Sequence, residues 1–233
     1  MEGSVVYKVR YPHNEKDTKF TIYDINYSAP IKAIKAGRIW EKKLYNIYKY
    51  LIKKGDIVID AGAFMGTHTV PFSEFVGGEG LVYAFEPQPL AFGCLNNTIQ
   101  QNNIKNVILS NNALWNNDKE ILELGSNLSG DSTITKLKNK GWLATRMFRY
   151  KVTTTTIDKL ALTRCDFIKI DVEKSEWKVL EGASETIQKF KPVIFFETFR
   201  TKQNLTLLFD WCEENEYTST FLKGDDYLLT PNT

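Results

Sequence analysis

Five short apolar runs, DIVIDAG, GLVYAFEP, NVILSNNAL, CDFIKIDVE and PVIFFET, alternate along the chain with segments whose apolar residues recur at helical spacing. Repeated alternation of strand and helix predicts a mostly parallel sheet, because each crossover helix carries the chain back to start the next strand in the same direction. Helices are expected from about Thr67, from about Leu90, from about Ser175 and over Leu205–Glu214. Helices on both faces would bury the strands on both sides, which suits continuous apolar runs better than alternating ones. After the last helix, YTSTFL and DDYLLT flank KGD and predict an antiparallel hairpin at the sheet edge.

Upstream, VVYKV and FTIYDI lie either side of PHNEKDTK and read as a hairpin or two edge strands. Ile39, Trp40, Leu44, Ile47, Tyr48, Leu51 and Ile52 then recur at three- and four-residue intervals, the pattern of an amphipathic helix, which Lys53-Lys54-Gly55 stops. The expected division is a β extension over residues 1–38 and one main domain over 39–233. Between about Lys119 and Thr156 the periodicity weakens, with ILEL and YKVTTTT as strands around the polar GSNLSGDSTITKLKNKGW. Such an insertion is more often functional or mobile than structural.

A chain of 233 residues fits a single α/β core, and 42% apolar with 25% charged residues is ordinary for a globular protein. The formal net charge of +2 supplies no strong positive field, so nucleic acid is not the expected partner. No stretch approaches the roughly 18 consecutive apolar residues of a membrane span, and the N-terminus lacks a secretory apolar core. Cys94, Cys165 and Cys212 are odd in number and without a CxxC pair, which points to reduced, mostly buried thiols and a cytoplasmic location.

The informative stretch is Asp60-Ala61-Gly62-Ala63-Phe64-Met65-Gly66, where an apolar strand ends in an acid and enters a glycine-bearing turn that opens a helix. Gly62 gives the turn its backbone freedom and lets a ligand approach the main chain; Gly66 permits close contact where the helix begins. Glu86 ends the next strand about twenty positions on, the place from which a carboxylate can accept both hydroxyls of a ribose. A nicotinamide cofactor would call for G-x-G-x-x-G, and the third glycine is missing. S-adenosylmethionine has no pyrophosphate and carries a sulfonium and an amino-acid tail, so an acidic turn suits it. Asp60 can then meet its ammonium, directly or through water, or simply cap the helix. Asn111, Asn112 and Ala113 lie where an adenine ring could rest, or form an ordinary turn.

The blocks VIDAGAFMGTHTVPFSEFVGGEGLVYAFEPQPLAFGCLNNTIQQNN, NNAL, TTTTIDKL and DFIKIDVEKSEWKVLEGASETIQKFKPVIFFET, in that order, resemble the FkbM family of S-adenosylmethionine-dependent O-methyltransferases. The resemblance covers about Ile39 to Thr198. It implies a Rossmann-like, seven-stranded methyltransferase sheet, a ligand across Asp60, Gly62, Ala63, Phe64, Gly66, Glu86, Pro87, Asn112 and Ala113, and methyl transfer to a hydroxyl. The family usually has D-x-E-G-x-E, whereas this chain has Asp171-Val172-Glu173-Lys174-Ser175-Glu176, a lysine in place of the glycine.

Transfer to a hydroxyl needs an aligned acceptor oxygen and a group to take its proton. Asp171 and Glu173, after the fourth strand, and Glu197, after the fifth, are expected to converge on the crevice of the sheet. Clustered carboxylates raise one another's pKa, so one can serve as a base; alternatively Asp171 and Glu197 can hold a divalent cation. His68 is a second candidate base, and neither it nor His13 is more than a lone histidine in sequence. Arg38, Trp40, Glu41 and the stretch from Ser129 to Thr133, including Ser132, are expected to line an acceptor pocket, with an aromatic face for a sugar ring. The resemblance favours a sugar hydroxyl on a glycan or glycosylated metabolite, with a deoxysugar such as rhamnose as the leading choice. Methylation of RNA and a non-catalytic module that binds S-adenosylmethionine are the competing readings.

Overall fold

The computed structural model describes residues 4–12, 16–23, 28–126, 132–135 and 148–232. Its first elements are β1 (Ser4–Val9) and β2 (Thr18–Tyr23), an antiparallel hairpin, followed by α1 (Ala29–Lys35) and α2 (Lys42–Leu51). The strand and helix alternation then begins: β3 (Ile57–Ala61), α3 (Thr69–Val76), β4 (Leu81–Phe85), α4 (Pro89–Gln101), β5 (Val107–Ser110). An insertion supplies β6 (Ala113–Leu114), β7 (Ile121–Ser126), β8 (Ser132–Thr135) and β9 (Phe148–Thr155). The alternation resumes with β10 (Phe167–Ile170), α5 (Glu176–Glu181), α6 (Ser184–Phe190), β11 (Val193–Glu197) and α7 (Lys202–Asn215), and the chain closes with β12 (Tyr217–Lys223) and β13 (Asp226–Pro231).

The main sheet has seven strands in the order β12-β13-β11-β10-β3-β4-β5. Strands β5, β4, β3, β10 and β11 are parallel, and β13 and β12 run antiparallel at the edge, as the residues around KGD predict. Adjacent strand residues face opposite sides of the sheet, and here both sides are covered. Val58, Phe167 and Phe195 pack beneath α2 and α3 against Leu44, Tyr48, Phe72 and Val76. Their neighbours Ile59, Ile168 and Phe196 pack on the other face against Val179, Leu180, Ile187 and Leu208 of α5, α6 and α7.

The N-terminal hairpin rests on α4, with Phe20 and Ile22 against Leu95 and Ile99. Asn102, just beyond α4, treats β2 as a neighbouring strand would: its side chain accepts from the Lys19 N–H at 2.9 Å and donates to the Lys19 carbonyl at 2.7 Å. The insertion forms its own four-stranded sheet, β6-β9-β7-β8, over a small core of Ala113, Trp115, Leu122, Leu124 and Val152. That core is small, which is why the sequence pattern is faint there. The helix expected from Ser175 is two helices, broken at Gly182, where a Cβ would lie 1.9 Å from the Trp115 carbonyl oxygen.

All three cysteines are buried and unbridged. Among the described residues no helix is long and apolar enough to cross a membrane.

Candidate active site

The sheet reverses direction of growth at β3: the chain adds β4 and β5 on one side and later β10 and β11 on the other. Loops leaving the carboxyl ends of β3 and β10 therefore diverge, and a crevice opens between them. A cavity of about 470 Å³ lies there. It is lined by Gly62, Phe64, Thr67 and His68 after β3, by Phe85, Glu86 and Pro87 after β4, and by Asp171, Val172, Glu173 and Glu197 after β10 and β11. Ala113, Leu114 and Leu124 of the insertion and Ser28, Ala29, Pro30, Trp40 and Glu41 of the N-terminal part complete the wall.

Gly62 stands at φ +81°, a left-handed conformation suited to glycine. A Cβ there would come within 1.8 Å of the Asp171 carbonyl oxygen. The first demand on its smallness is thus the backbone leaving β10, and not the approach of a ligand. The N–H groups of Gly62 and Ala63 both donate to the Phe85 carbonyl at 3.0 Å, tying the turn to β4. Phe64 is also left-handed, at φ +49°, and this aims its N–H at Glu86 Oε2, 2.8 Å away. Glu86 Oε1 accepts from the Gln88 N–H at 2.8 Å. Burial outweighs these two bonds and pushes the Glu86 pKa up to about 7.

Asp60 is fully buried and absent from the cavity wall. Its Oδ2 accepts from the Thr69 hydroxyl at 2.7 Å, and its Oδ1 lies 3.4 Å from the Lys169 ammonium. Lys169, in the middle of β10, is fully buried too. Its ammonium donates to the carbonyls of Ala61 and Gly62 at 3.3 and 3.2 Å and lies 3.2 Å from Asp171 Oδ2. Burial alone would lower the Lys169 pKa, but the carboxylates of Asp171 and Asp60 hold it above the usual lysine range.

At the other end of the cavity Asp171 and Glu197 share a hydrogen bond. Burial, with the Asp171 charge beside it, raises Glu197 far above the glutamate range, so Glu197 carries the proton. Burial works against the Asp171 charge as well, but Lys169, the Glu197 hydrogen bond and His68 together keep it ionised. The His68 ring is wedged edge-on to Tyr48 and stacked on Phe72, and its Nε2 lies 3.4 Å from Glu41 Oε2. Glu41 Oε1 in turn accepts from Lys223 at 2.5 Å. Burial of Glu41 opposes its charge, and the His68 and Lys223 contacts prevail, leaving it below the usual range.

The structure thus brings Gly62, Phe64, Glu86, Pro87, Ala113, Trp40, Glu41, His68, Asp171, Glu173 and Glu197 to one cavity. It does not bring Ala63, Gly66, Asn112 or Arg38 there. Ala63 is buried in the core; Gly66 lies against α4, where a Cβ would stand 3.0 Å from Leu95. The Asn112 N–H turns back to the Ser110 hydroxyl at 3.3 Å, and the Asn111 amide supports the Glu86 carbonyl at 2.7 Å. Arg38 is exposed, beyond the end of α1. Ser132 pairs with Ser126 between β8 and β7, while its side chain, residues 129–131 and His13 lie outside the described residues.

A metal does not fit the carboxylate pair well: the Lys169 ammonium, 3.2 Å from Asp171 Oδ2, occupies one side of it as a competing cation. Among the described residues no group of three histidine, cysteine or acidic side chains is arranged to hold an ion. Sequence reasoning passes over Lys169, Ser28, Thr67 and Leu124. Lys169 does leave a signal: a lysine inside a run expected to be covered on both faces must be buried and therefore paired.

The family described as the Methyltransferase FkbM domain matches residues 60–222. Among solved structures, a putative rRNA methylase from Clostridium thermocellum superposes with a TM-score of 0.55 at 12% identity, over 82% of this chain and 95% of that one. An FkbM methyltransferase from Methylobacillus flagellatus KT gives 0.53 at 16% identity, covering 80% of this chain and 50% of the other, so this chain spans half of that protein. An rRNA methylase from Streptococcus thermophilus gives 0.51 at 12% identity, over 82% and 95%. At these identities the likeness is one of fold. No curated protein sequence matches significantly.

Proposed function

The chain belongs to the FkbM methyltransferase family, and on that footing we propose that it moves a methyl group from S-adenosylmethionine to a sugar hydroxyl, in a glycan or glycosylated metabolite. The observation that carries the donor is Glu86: a carboxylate at the end of β4, fixed through both oxygens beside the Gly62 turn and facing the cavity. Each of its oxygens keeps a lone pair for a ribose hydroxyl. Phe64, Pro87, Ala113, Leu114 and Leu124 offer apolar wall for an adenine. Bound there, the donor supplies an electrophilic methyl on a positively charged sulfur.

The residues at the opposite end supply the rest. Asp171 and Glu41, both held below the usual carboxylate range, favour a cationic centre in the cavity. Asp171, paired with the Lys169 ammonium at 3.2 Å, is a weak base, and Glu197 shares a hydrogen bond with it, so neither is the favoured base. That role falls to His68, whose ring is fixed by Tyr48, Phe72 and Glu41 and faces the cavity. A neutral imidazole offers one unprotonated ring nitrogen to take the proton of the acceptor. Asp171 accepts a hydrogen bond from the acceptor and aligns it; positioning of this kind supplies a large part of the rate. The small net charge supports a sugar over a polyanionic acceptor.

The test is product analysis with a methyl-labelled donor, offered a panel of glycans, small saccharides including L-rhamnose, and structured RNA. Label on a sugar oxygen is the expected result, and label on RNA alone refutes the acceptor assignment. Absence of S-adenosylhomocysteine binding by calorimetry refutes the donor assignment.

A further inference from the structure

The stretch from Ser28 to Glu41 lies upstream of the matched family region, yet it forms one wall of the cavity. We propose that this upstream wall selects the acceptor: Trp40 is the platform on which the apolar face of a sugar ring lies, and Glu41 accepts from one of its hydroxyls. The inference rests on the methyltransferase reading above.

Three observations fix which end of the cavity this wall serves. Glu41 touches His68 at 3.4 Å and Lys223 of β12 at 2.5 Å, and Lys223 reaches Asp226 of β13 at 3.8 Å. Asp226 pairs with Glu197 across β13 and β11. Glu41 therefore belongs to the β11 and β13 side, with the reacting groups, and Glu86 belongs to the β4 side. Trp40 is its immediate neighbour, half-buried and in the wall.

The carboxylate of the wall is held in place. Glu41 sits at φ +45° at the start of α2, held between the Lys223 ammonium and the His68 ring, and α2 is anchored through Leu44, Tyr45 and Tyr48. An aromatic beside a held carboxylate is a pairing that reads a sugar: the ring takes the C–H face, and the carboxylate takes a hydroxyl and rejects an analogue lacking it. Ser28 adds a buried hydroxyl in the same wall, without a hydrogen-bond partner among the described residues.

The experiment uses the full chain with S-adenosylhomocysteine bound. Saccharide binding is followed by saturation-transfer NMR with L-rhamnose, D-glucose and a short single-stranded RNA as probes, for wild type, Trp40→Ala and Trp40→Phe. The expected outcome is saccharide binding by wild type, weakened about tenfold or more in Trp40→Ala and largely kept in Trp40→Phe. S-adenosylhomocysteine affinity should stay within about twofold in both variants, which also reports that they fold. Wild type binding the cofactor product but no saccharide overturns the proposal. So does saccharide binding unchanged in Trp40→Ala, or loss of S-adenosylhomocysteine in Trp40→Ala with retention in Trp40→Phe, which would put the ring on the donor. RNA binding that depends on Trp40, without saccharide binding, also overturns it. If wild type fails to bind S-adenosylhomocysteine, it is the donor reading that falls.

Discussion

Glu173 and Lys174 follow one another in left-handed conformations, at φ +55° and +79°, as the chain leaves β10. Position 174 is where the family pattern has glycine, and the backbone angle gives the reason. A side chain in that region costs about 1–2 kcal/mol, and the contact of the Lys174 ammonium with the Phe199 ring, 5.6 Å to its centroid, offsets part of it. Lys174→Gly should therefore raise stability by about 1 kcal/mol, read as a higher thermal midpoint. Glu86 gives a second prediction. Burial raises its folded pKa to about 7, above the unfolded value, so its proton stabilises the fold at acid pH and that contribution is lost as pH rises through about 7. Ribose hydroxyls donate to the ionised form, so S-adenosylhomocysteine affinity should be full above about 7 and fall by up to about tenfold per unit below it. Calorimetry across that range checks this, with Glu86→Gln giving a flat profile. Glu86 is legible in sequence because a strand end and a spacing place it. The Asp60 contacts are not, because its partner Lys169 comes from a strand 109 positions on in the chain.

At the scale of elements, the bond between β3 and β10 carries the site. The Lys169 ammonium joins two carbonyls of the β3 end to Asp60 and Asp171. Removing one partner of a buried charge cluster leaves the others uncompensated, so Lys169→Met should cost about 3–5 kcal/mol in urea unfolding. A loss below about 1 kcal/mol would mean the cluster is better solvated than its burial implies. The N-terminal hairpin is attached differently, by Asn102 and by the Thr21 N–H donating to the Thr98 hydroxyl at 3.1 Å. Asn102→Ala should cost about 1–3 kcal/mol and speed amide exchange at Lys19 while leaving exchange in β3 and β10 unchanged. Parallel strands and crossover helices are legible in sequence because apolar runs and helical spacing are local. The four-stranded insertion is only half legible, since its pairings join residues on either side of a polar stretch and its core is small.

The whole molecule distributes its three cysteines through the fold: Cys94 in α4, Cys165 before β10 and Cys212 in α7. Burial raises the thiol pKa of Cys94 and Cys165 to about 12 and that of Cys212 upward as well. Thiolate, the reactive form, is thus scarce at neutral pH. A thiol reagent should leave the native chain unlabelled and label all three sites across one urea transition. Early labelling of Cys94 would show that α4 and its hairpin open separately. Saturating S-adenosylhomocysteine should shift the transition to higher urea, by about 2.7 kcal/mol at a hundredfold excess over Kd.

The contact of Gly62 with the Asp171 carbonyl has a consequence for diversification. With main chain pressed on main chain, the proposed seat of the methyl donor and the acids that follow β10 are joined like two jaws of a single casting, and neither can be reshaped without disturbing the other. On that reading, novelty in what is modified enters through parts bolted on from outside, and the region ahead of the matched family segment is such a part, touching His68 through Glu41.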